Sequence, residues 1–152
     1  MRIHAIAAAL LLGGALAAQA ADRDAHLHPG ELLSSDAGYR AAWQQLVQEE
    51  QRLPDWLMNL SGPSTPMQAE ESASDRFLVG QLCEAHNCFN QRLYLAFDWD
   101  KDNAYALYVQ VPENLPEDRA PSEHASLRWL GEPDEEVRRL LEEQLRKDPN
   151  WF

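Results

Sequence analysis

Several signatures of catalysis are missing from this sequence. It has no Gly-x-Ser-x-Gly nucleophile elbow, no His-Glu-x-x-His zinc motif and no glycine-rich phosphate-binding loop. Glycine is scarce, with seven residues among 152. We therefore predict a protein that is not an enzyme and that has no catalytic residues, no cofactor and no metal site. A small metal-dependent enzyme is the alternative, which metal analysis of the purified protein would test.

Basic residues are also few. The chain has 13 Lys and Arg against 25 Asp and Glu, and its formal charge is −12. Such a charge disfavours nucleic acid and anionic membrane surfaces as partners and favours basic proteins. Acidity that serves only solubility is the alternative at this point. We expect neither nucleic acid nor a membrane as a partner.

Long apolar runs are missing beyond residue 20. The run at residues 5–18 follows Arg2 and leads into Ala18-Gln19-Ala20, the small-x-small pattern of a signal peptidase site. It is shorter than the ~20 apolar residues of a spanning helix. These features predict a signal peptide at residues 1–20, cleaved after Ala20, and a periplasmic protein. The remaining 132 residues, which lose the charge of Arg2 and carry −13, suffice for one domain.

Hydrophobic periodicity predicts a helix near the start of the mature chain. Residues 21–35 are predicted to be an N-terminal leader in which Pro29-Gly30 breaks regular structure. Ser34 and Ser35 are candidate N-caps for a helix over residues 36–52. Pro54 disfavours helical geometry in the residue before it and is expected to end this helix. The apolar stripe of the helix is Tyr39, Trp43, Leu46 and Val47.

Alternating apolar residues predict strands further along the chain. After a loop at residues 61–74, strands are predicted at residues 76–82, 91–97, 105–111 and 127–130. A last helix is predicted at residues 133–147, with Pro133 in its first turn, acids after it and basic residues at its far end. Helix, antiparallel strands and helix together predict an α+β fold in one domain, residues 36–152.

The segment Cys83-Glu84-Ala85-His86-Asn87-Cys88 lies between two predicted strands. Outside the cytoplasm, two cysteines this close are expected to form a disulfide. The bond would hold four residues in one shape, so that a side chain presented there loses little entropy on binding. His86 lies near the apex of this loop and is the candidate binding residue. An ordinary hairpin staple, in which His86 is incidental, is the alternative that the spacing leaves open.

Metal and redox interpretations of these residues are weaker. Two Cys and one His within six residues crowd a zinc ion, whose structural sites draw ligands from two separate segments. The spacing is also not the Cys-x-x-Cys of thiol oxidoreductases. Residues 98–103 begin like a calcium loop, but Asn103 takes the glycine position and Val109 the position of the final Glu. A solvated hairpin turn is predicted there.

The sequence resembles the inhibitor of vertebrate lysozyme family of Gram-negative bacteria. The residues that carry the resemblance follow the signal peptide and keep the family spacing over residues 36–110: Leu53-Pro54-Asp55-Trp56, Thr65-Pro66, Cys83-x-x-His86-x-Cys88 and Gln91-Arg92. The family pattern often has a basic residue at position 84, a proline at 85 and an aspartate at 87. This chain has Glu84, Ala85 and Asn87 there, while both cysteines and His86 are kept.

The resemblance implies a fold and a mechanism. The fold is a central antiparallel sheet flanked by helices, with a protruding disulfide-closed loop. The implied partner is c-type lysozyme, whose substrate cleft receives the loop of residues 83–88, and the implied role of His86 is to hydrogen-bond the catalytic carboxylates. Lytic transglycosylases of the cell itself are further possible partners in the family.

Two functional hypotheses follow. In the first, the protein is an inhibitor of c-type lysozyme. In the second, it is a periplasmic binding or housekeeping module, for example one that controls the cell's own lytic transglycosylases, and His86 is not the inhibitory residue. No heptad pattern or exposed apolar helix face demands a second copy, which favours a monomer.

Overall fold

A five-stranded antiparallel sheet forms the centre of the structure, a computed structural model that describes residues 23–152. The predicted signal peptide lies outside the described residues. Each strand pairs with the next one along the chain, so the sheet is a simple meander. The strands are β1 (Gln68–Glu71), β2 (Arg76–Cys83), β3 (Gln91–Asp98), β4 (Ala104–Gln110) and β5 (Ser126–Leu130).

Helices cover both faces of the sheet. Over residues 23–152 these are α1 (Pro29–Ser35), α2 (Ala37–Glu49), α3 (Asp55–Met58), α4 (Pro121–His124) and α5 (Glu135–Arg146). The first three pack on one face and α5 packs on the other. None of the helices described over this range is long and apolar enough to cross a membrane. The predicted α+β class, with a central antiparallel sheet flanked by helices, is confirmed.

Strand β3 shows why the sheet is buried on both sides. Leu93, Leu95 and Phe97 point into the cluster under α1–α3, whereas Tyr94 and Ala96 point into the cluster under α5. All five are at most 2% exposed. At roughly 25 cal/mol per Å² of apolar surface removed from water, such a two-sided strand is a main source of stability. Because β3 begins at Gln91, the segment that precedes it is attached to a rigid strand.

The predicted apolar stripes are confirmed in both long helices. In α2, Tyr39, Trp43 and Leu46 are buried and Val47 packs against the same core. In α5, the buried residues are Val137, Leu140, Leu141 and Leu145. Trp43 also donates a 2.9 Å hydrogen bond from Nε1 to the Met58 carbonyl, which fixes α3 beneath α2.

The predicted ends of the long helices are partly wrong. The N-cap of α2 is Asp36, whose carboxylate accepts hydrogen bonds from the amides of Gly38 (2.7 Å) and Tyr39 (3.4 Å), rather than Ser34 or Ser35. The helix also ends at Glu49, before Pro54 is reached. Pro133 precedes α5 instead of lying in its first turn, because Asp134 caps that helix through the Val137 amide.

Four short elements, α1, α3, α4 and β1, were not predicted. Pro29-Gly30 was expected to break regular structure, but Pro29 begins α1, where its fixed φ suits a first helical turn. Leu32 of that helix is fully buried. The predicted loop 61–74 contains β1, a polar edge strand that is held by main-chain pairing with β2 and shows no apolar alternation. The predicted hairpin turn after β3 is confirmed: the Asp98 carboxylate accepts from the amides of Asp102 and Asn103.

Candidate functional site

The loop between β2 and β3 is closed by a bond between Cys83 and Cys88. Their Cα atoms lie 4.9 Å apart, so the predicted disulfide is confirmed. His86 is exposed, and its φ of 63° is in the left-handed region, which His tolerates better than most residues. The loop therefore presents its imidazole to solvent from a short ring with few alternative conformations.

Hydrogen bonds inside the loop reinforce the ring. The Asn87 amide donates to the Glu84 carbonyl (3.0 Å), and the Asn87 side chain donates to the Glu84 carboxylate (2.7 Å). Below the ring, the Glu84 amide donates to the Gln91 carbonyl at 3.1 Å. Residues on both sides of His86 are thus fixed by main-chain and side-chain contacts.

Arg92 supports the loop from below. It is 7% exposed, and its guanidinium donates from Nε (3.3 Å) and Nη2 (3.1 Å) to the Phe89 carbonyl, one residue after Cys88. The same guanidinium forms an ion pair with Asp148, just beyond α5. Arg92 therefore connects the second half of the loop to the C-terminal segment.

Gly62 lies against the other half of the loop. Its φ is 151°, and a Cβ at this position would lie 2.2 Å from the Cys83 carbonyl oxygen. The next residue, Pro63, accepts a 3.0 Å hydrogen bond from the Cys83 amide. Only glycine allows the segment at 62–63 to approach the loop this closely.

A groove of about 550 Å³ lies beside the loop. It is lined by Glu84 and Ala85 of the loop, by Ser61 and Gly62, and by Pro54, Asp55 and Trp56 around α3. Trp56 stacks edge-on against Tyr108 of β4, with 6.0 Å between ring centroids, so its position is fixed by the sheet. The side of the loop next to α3 is thus both acidic and aromatic.

Tyr108 reports the electrostatics of this region. Burial raises the pKa of its hydroxyl, and the negative charge of Glu84 raises it further. The hydroxyl donates to Gln91 Oε1 at the start of β3. Tyr108 therefore acts as a neutral hydrogen-bond donor that holds the base of the loop.

The structure brings the predicted site residues together in one place. All six residues of the loop, 83–88, lie in one ring, and several of the residues that carry the family resemblance line the grooves on either side of it. Pro54-Asp55-Trp56 line the groove on one side, and Thr65 and Arg92 lie on the other. Over residues 23–152, no group of three or more His, Cys, Asp or Glu is placed to hold a metal ion.

Two supporting residues were not predicted as part of the site. Gly62 was classed only as part of a loop, and Arg92 only as part of the Gln91-Arg92 pair that carries the family resemblance and opens a strand. The sequence did contain two signals for these residues: Gly62 stands beside a proline, and Arg92 lies within an apolar strand. A buried arginine needs a partner of opposite charge. The partners themselves, Cys83 and Asp148, are 21 and 56 residues away along the chain, which local sequence patterns do not encode.

Comparisons with known proteins show which family this chain belongs to. Residues 38–147 match the family described as inhibitor of vertebrate lysozyme (Ivy). The chain is 39% identical over 142 residues to the inhibitor of vertebrate lysozyme of Pseudomonas aeruginosa, covering 93% of this chain and 92% of that protein. It is 60% identical over 146 residues to an uncharacterized protein of the same organism (95% and 94% covered). An uncharacterized protein of Yersinia pestis is 36% identical over 113 residues (74% and 73% covered).

Proposed function

Because this chain belongs to the inhibitor of vertebrate lysozyme family, we propose that it inhibits c-type lysozyme by inserting the Cys83–Cys88 loop into the active-site cleft of the enzyme. The observation that carries the proposal is the exposed His86 on a disulfide-closed ring. The inhibitor does no chemistry of its own in this mechanism. It occupies the cleft and excludes substrate.

The chemistry of an imidazole suits such a cleft. A retaining glycosidase such as lysozyme has two carboxyl groups flanking the bond that it cuts. An imidazole has two ring nitrogens, and both donate hydrogen bonds when it is protonated. Hydrogen bonds to ionised carboxylates are stronger than those between neutral groups. His86 is therefore proposed to lie between the two carboxylates and to bond to both.

The rigidity of the loop supports tight binding. Flexible loops lose conformational entropy when they are ordered at an interface. Here the disulfide, the Glu84–Asn87 contact and Arg92 already fix the loop in the free protein. Little ordering cost then remains on association.

The test is inhibition of a c-type lysozyme by two matched histidine variants. Removal of a central, desolvated interface residue commonly costs about 2 kcal/mol or more, so His86→Ala is expected to weaken inhibition by roughly thirtyfold. His124, exposed at the end of α4, is the control, and His124→Ala is expected to leave inhibition unchanged. Thermal melts of both variants should match the parent. Undiminished inhibition by His86→Ala would show that another residue contacts the carboxylates.

Lytic transglycosylases of the cell are the second proposed target, because the family resemblance also suggests a self-protective role in limiting the cell's own peptidoglycan-cleaving enzymes. The same variants assayed against these enzymes would rank the two targets. Loss of lysozyme inhibition with full transglycosylase inhibition would assign His86 to lysozyme alone.

We also propose that the protein acts in the periplasm after cleavage behind Ala20. The motivation is the basic lead, the apolar run and the Ala18-Gln19-Ala20 pattern. N-terminal sequencing of protein from the periplasmic fraction is expected to begin at Ala21. An intact Met1 in cytoplasmic protein would contradict this.

A further inference from the structure

A second groove lies on the opposite side of the loop, between β2 and the end of α5. Its volume is about 560 Å³, within the ~300–1,000 Å³ range of small-molecule sites. One wall is formed by residues 81–83 with 88 and 89, and the other by residues 144 and 147–150. We call it the lateral groove. His86 does not line it, so the proposed inhibition of lysozyme makes no use of it.

The polar lining of the lateral groove consists mainly of neutral amides and hydroxyls. Its amides are Gln81, Gln144 and Asn150, each able to donate and to accept hydrogen bonds. Gln144 is the most informative, because its Oε1 accepts from Lys147 at 3.1 Å while its Nε2 is buried and has no hydrogen-bond partner within residues 23–152. A buried donor without a partner is costly, and an acceptor on a ligand would satisfy it.

The charged groups of the groove are already paired. Arg92 forms its ion pair with Asp148, and Lys147 Nζ lies 3.6 Å from the Glu70 carboxylate. An anionic ligand would therefore meet no cation whose charge is unbalanced. The pairing favours a neutral ligand that is rich in hydrogen-bonding groups.

An aromatic ring lies at the edge of the groove. Phe89 is 46% exposed and lines the groove directly after Cys88. A flat apolar ring beside several planar amides is a combination that suits a pyranose, which has an apolar C–H face and a rim of hydroxyl groups.

We propose that the lateral groove binds a neutral saccharide, with Phe89 packed against a sugar ring and the amides of Gln144 and Asn150 bound to its hydroxyl or acetamido groups. Gln144 Nε2 supplies the buried donor, and Asn150, which is exposed, completes the contacts at the groove mouth. The site is independent of lysozyme, and its occupation is measured without that enzyme.

The test is an NMR titration of the secreted chain with di-N-acetylchitobiose, maltose and acetate. At least one sugar is expected to produce saturable shifts confined to residues of the groove, including the side-chain amides of Gln81, Gln144 and Asn150. Acetate is expected to produce none. Gln144→Leu and Phe89→Ala are each expected to weaken sugar binding at least tenfold.

Two control variants carry the same types of substitution, Gln to Leu and Phe to Ala, at positions outside the lateral groove. Gln48→Leu, on the exposed face of α2, and Phe152→Ala, which removes a ring that is 76% exposed outside the groove, are expected to bind as the parent does. If Gln144→Leu does not fold, Phe89→Ala and Asn150→Ala carry the test.

Three results would overturn the proposal. One is the lack of saturable shifts from either sugar up to about 50 mM, well above the ~1 mM scale of weak binding. Another is sugar binding that survives unchanged in Phe89→Ala and in the amide variants. The third is saturable binding of acetate with neither sugar bound, which would identify an anion site instead.

Discussion

The side-chain amide of Asn87 donates a 2.7 Å hydrogen bond to the carboxylate of Glu84 across the Cys83–Cys88 loop. In the family pattern that this sequence resembles, position 84 is often a basic donor and position 87 an acidic acceptor. In this chain the donor and the acceptor have exchanged places. The two departures therefore form one complementary pair, which makes a contact across the loop of this chain. Ala85, in place of the family proline, has no such compensation within the loop.

The disulfide is expected to matter more for inhibition than for folding. Closing a ring of six residues contributes only about 2 kcal/mol in the chain-entropy treatment. The double variant Cys83→Ser, Cys88→Ser should therefore remain folded by circular dichroism. Its loop would be ordered only on binding, so its inhibition constant against lysozyme should rise. Equal inhibition by parent and variant would mean that the Glu84–Asn87 and Arg92 contacts suffice to order the loop.

Gly62 is expected to control the position of the loop. In Gly62→Ala the new Cβ meets the Cys83 carbonyl oxygen, so the segment must shift at a cost of about 1–3 kcal/mol. Both the melting temperature and lysozyme inhibition should fall. Gln48→Ala, on the exposed face of α2 and outside both grooves, is the control and should change neither. A Gly62→Ala variant with the parent's melting temperature would contradict the close approach.

Association with lysozyme is expected to slow as salt rises. The chain carries a formal charge of −12 before any cleavage, and a basic partner would be attracted over long range. Salt shortens that range to about 8 Å at physiological ionic strength. Stopped-flow association rates across a salt series give the measurement, and dissociation rates should change much less. A flat association series would assign the acidity of this chain to solubility.

Asp36 is expected to make stability depend on acid pH. Burial by itself raises the pKa of this carboxyl, but the hydrogen bonds from Lys101 and from the Gly38 amide lower it below its usual value. The stabilisation is therefore present above the unfolded pKa of about 3.9 and is lost as pH falls through the folded pKa. Urea unfolding of the parent between neutral and acid pH should show this loss.

Two variants separate the cap of α2 from the ion pair. Asp36→Asn keeps an N-cap acceptor but loses the ion pair with Lys101, so its stability should depend less on pH than the parent's. Asp36→Ala also loses the cap and should be about 1 kcal/mol less stable than Asp36→Asn. Glu136, whose pKa is lowered to about 2 by hydrogen bonds from Ser72 and Ser74, is the same in all three proteins and cancels in the comparison. Parallel pH profiles for parent and Asp36→Asn would contradict the assignment.

The elements predicted correctly are those whose sequence pattern reflects the burial of their side chains. Strands β2, β3 and β4 are rich in apolar residues because they bury side chains on both faces of the sheet, and α5 carries an apolar stripe because it buries one face. Strand β1 was missed because an edge strand with polar side chains has no apolar pattern in its sequence. Helix α1 was missed because a proline can either break regular structure or begin a helix. Here the contacts of Leu32 with the core favour the helix.

The loop at the centre of the site could be predicted from the sequence, but the residues that support the loop could not. The two cysteines and the histidine lie within six residues, so their proximity is visible in the chain itself. Arg92, Gly62 and Asp148 reach the loop only through the sheet meander and the return of α5. Contacts of that kind depend on tertiary packing, which no short-range period specifies.

The ion pair of Arg92 also bears on where the folding unit ends. The family match stops at residue 147, and Asp148 is the next residue. A protein truncated at that boundary would keep the whole loop but would leave a buried guanidinium without its counter-ion, a change that typically costs 3–5 kcal/mol. It would also lose Trp151, which is 6% exposed and packs under α5. The last five residues, although outside the family match, are therefore expected to stabilise the support of the Cys83–Cys88 loop.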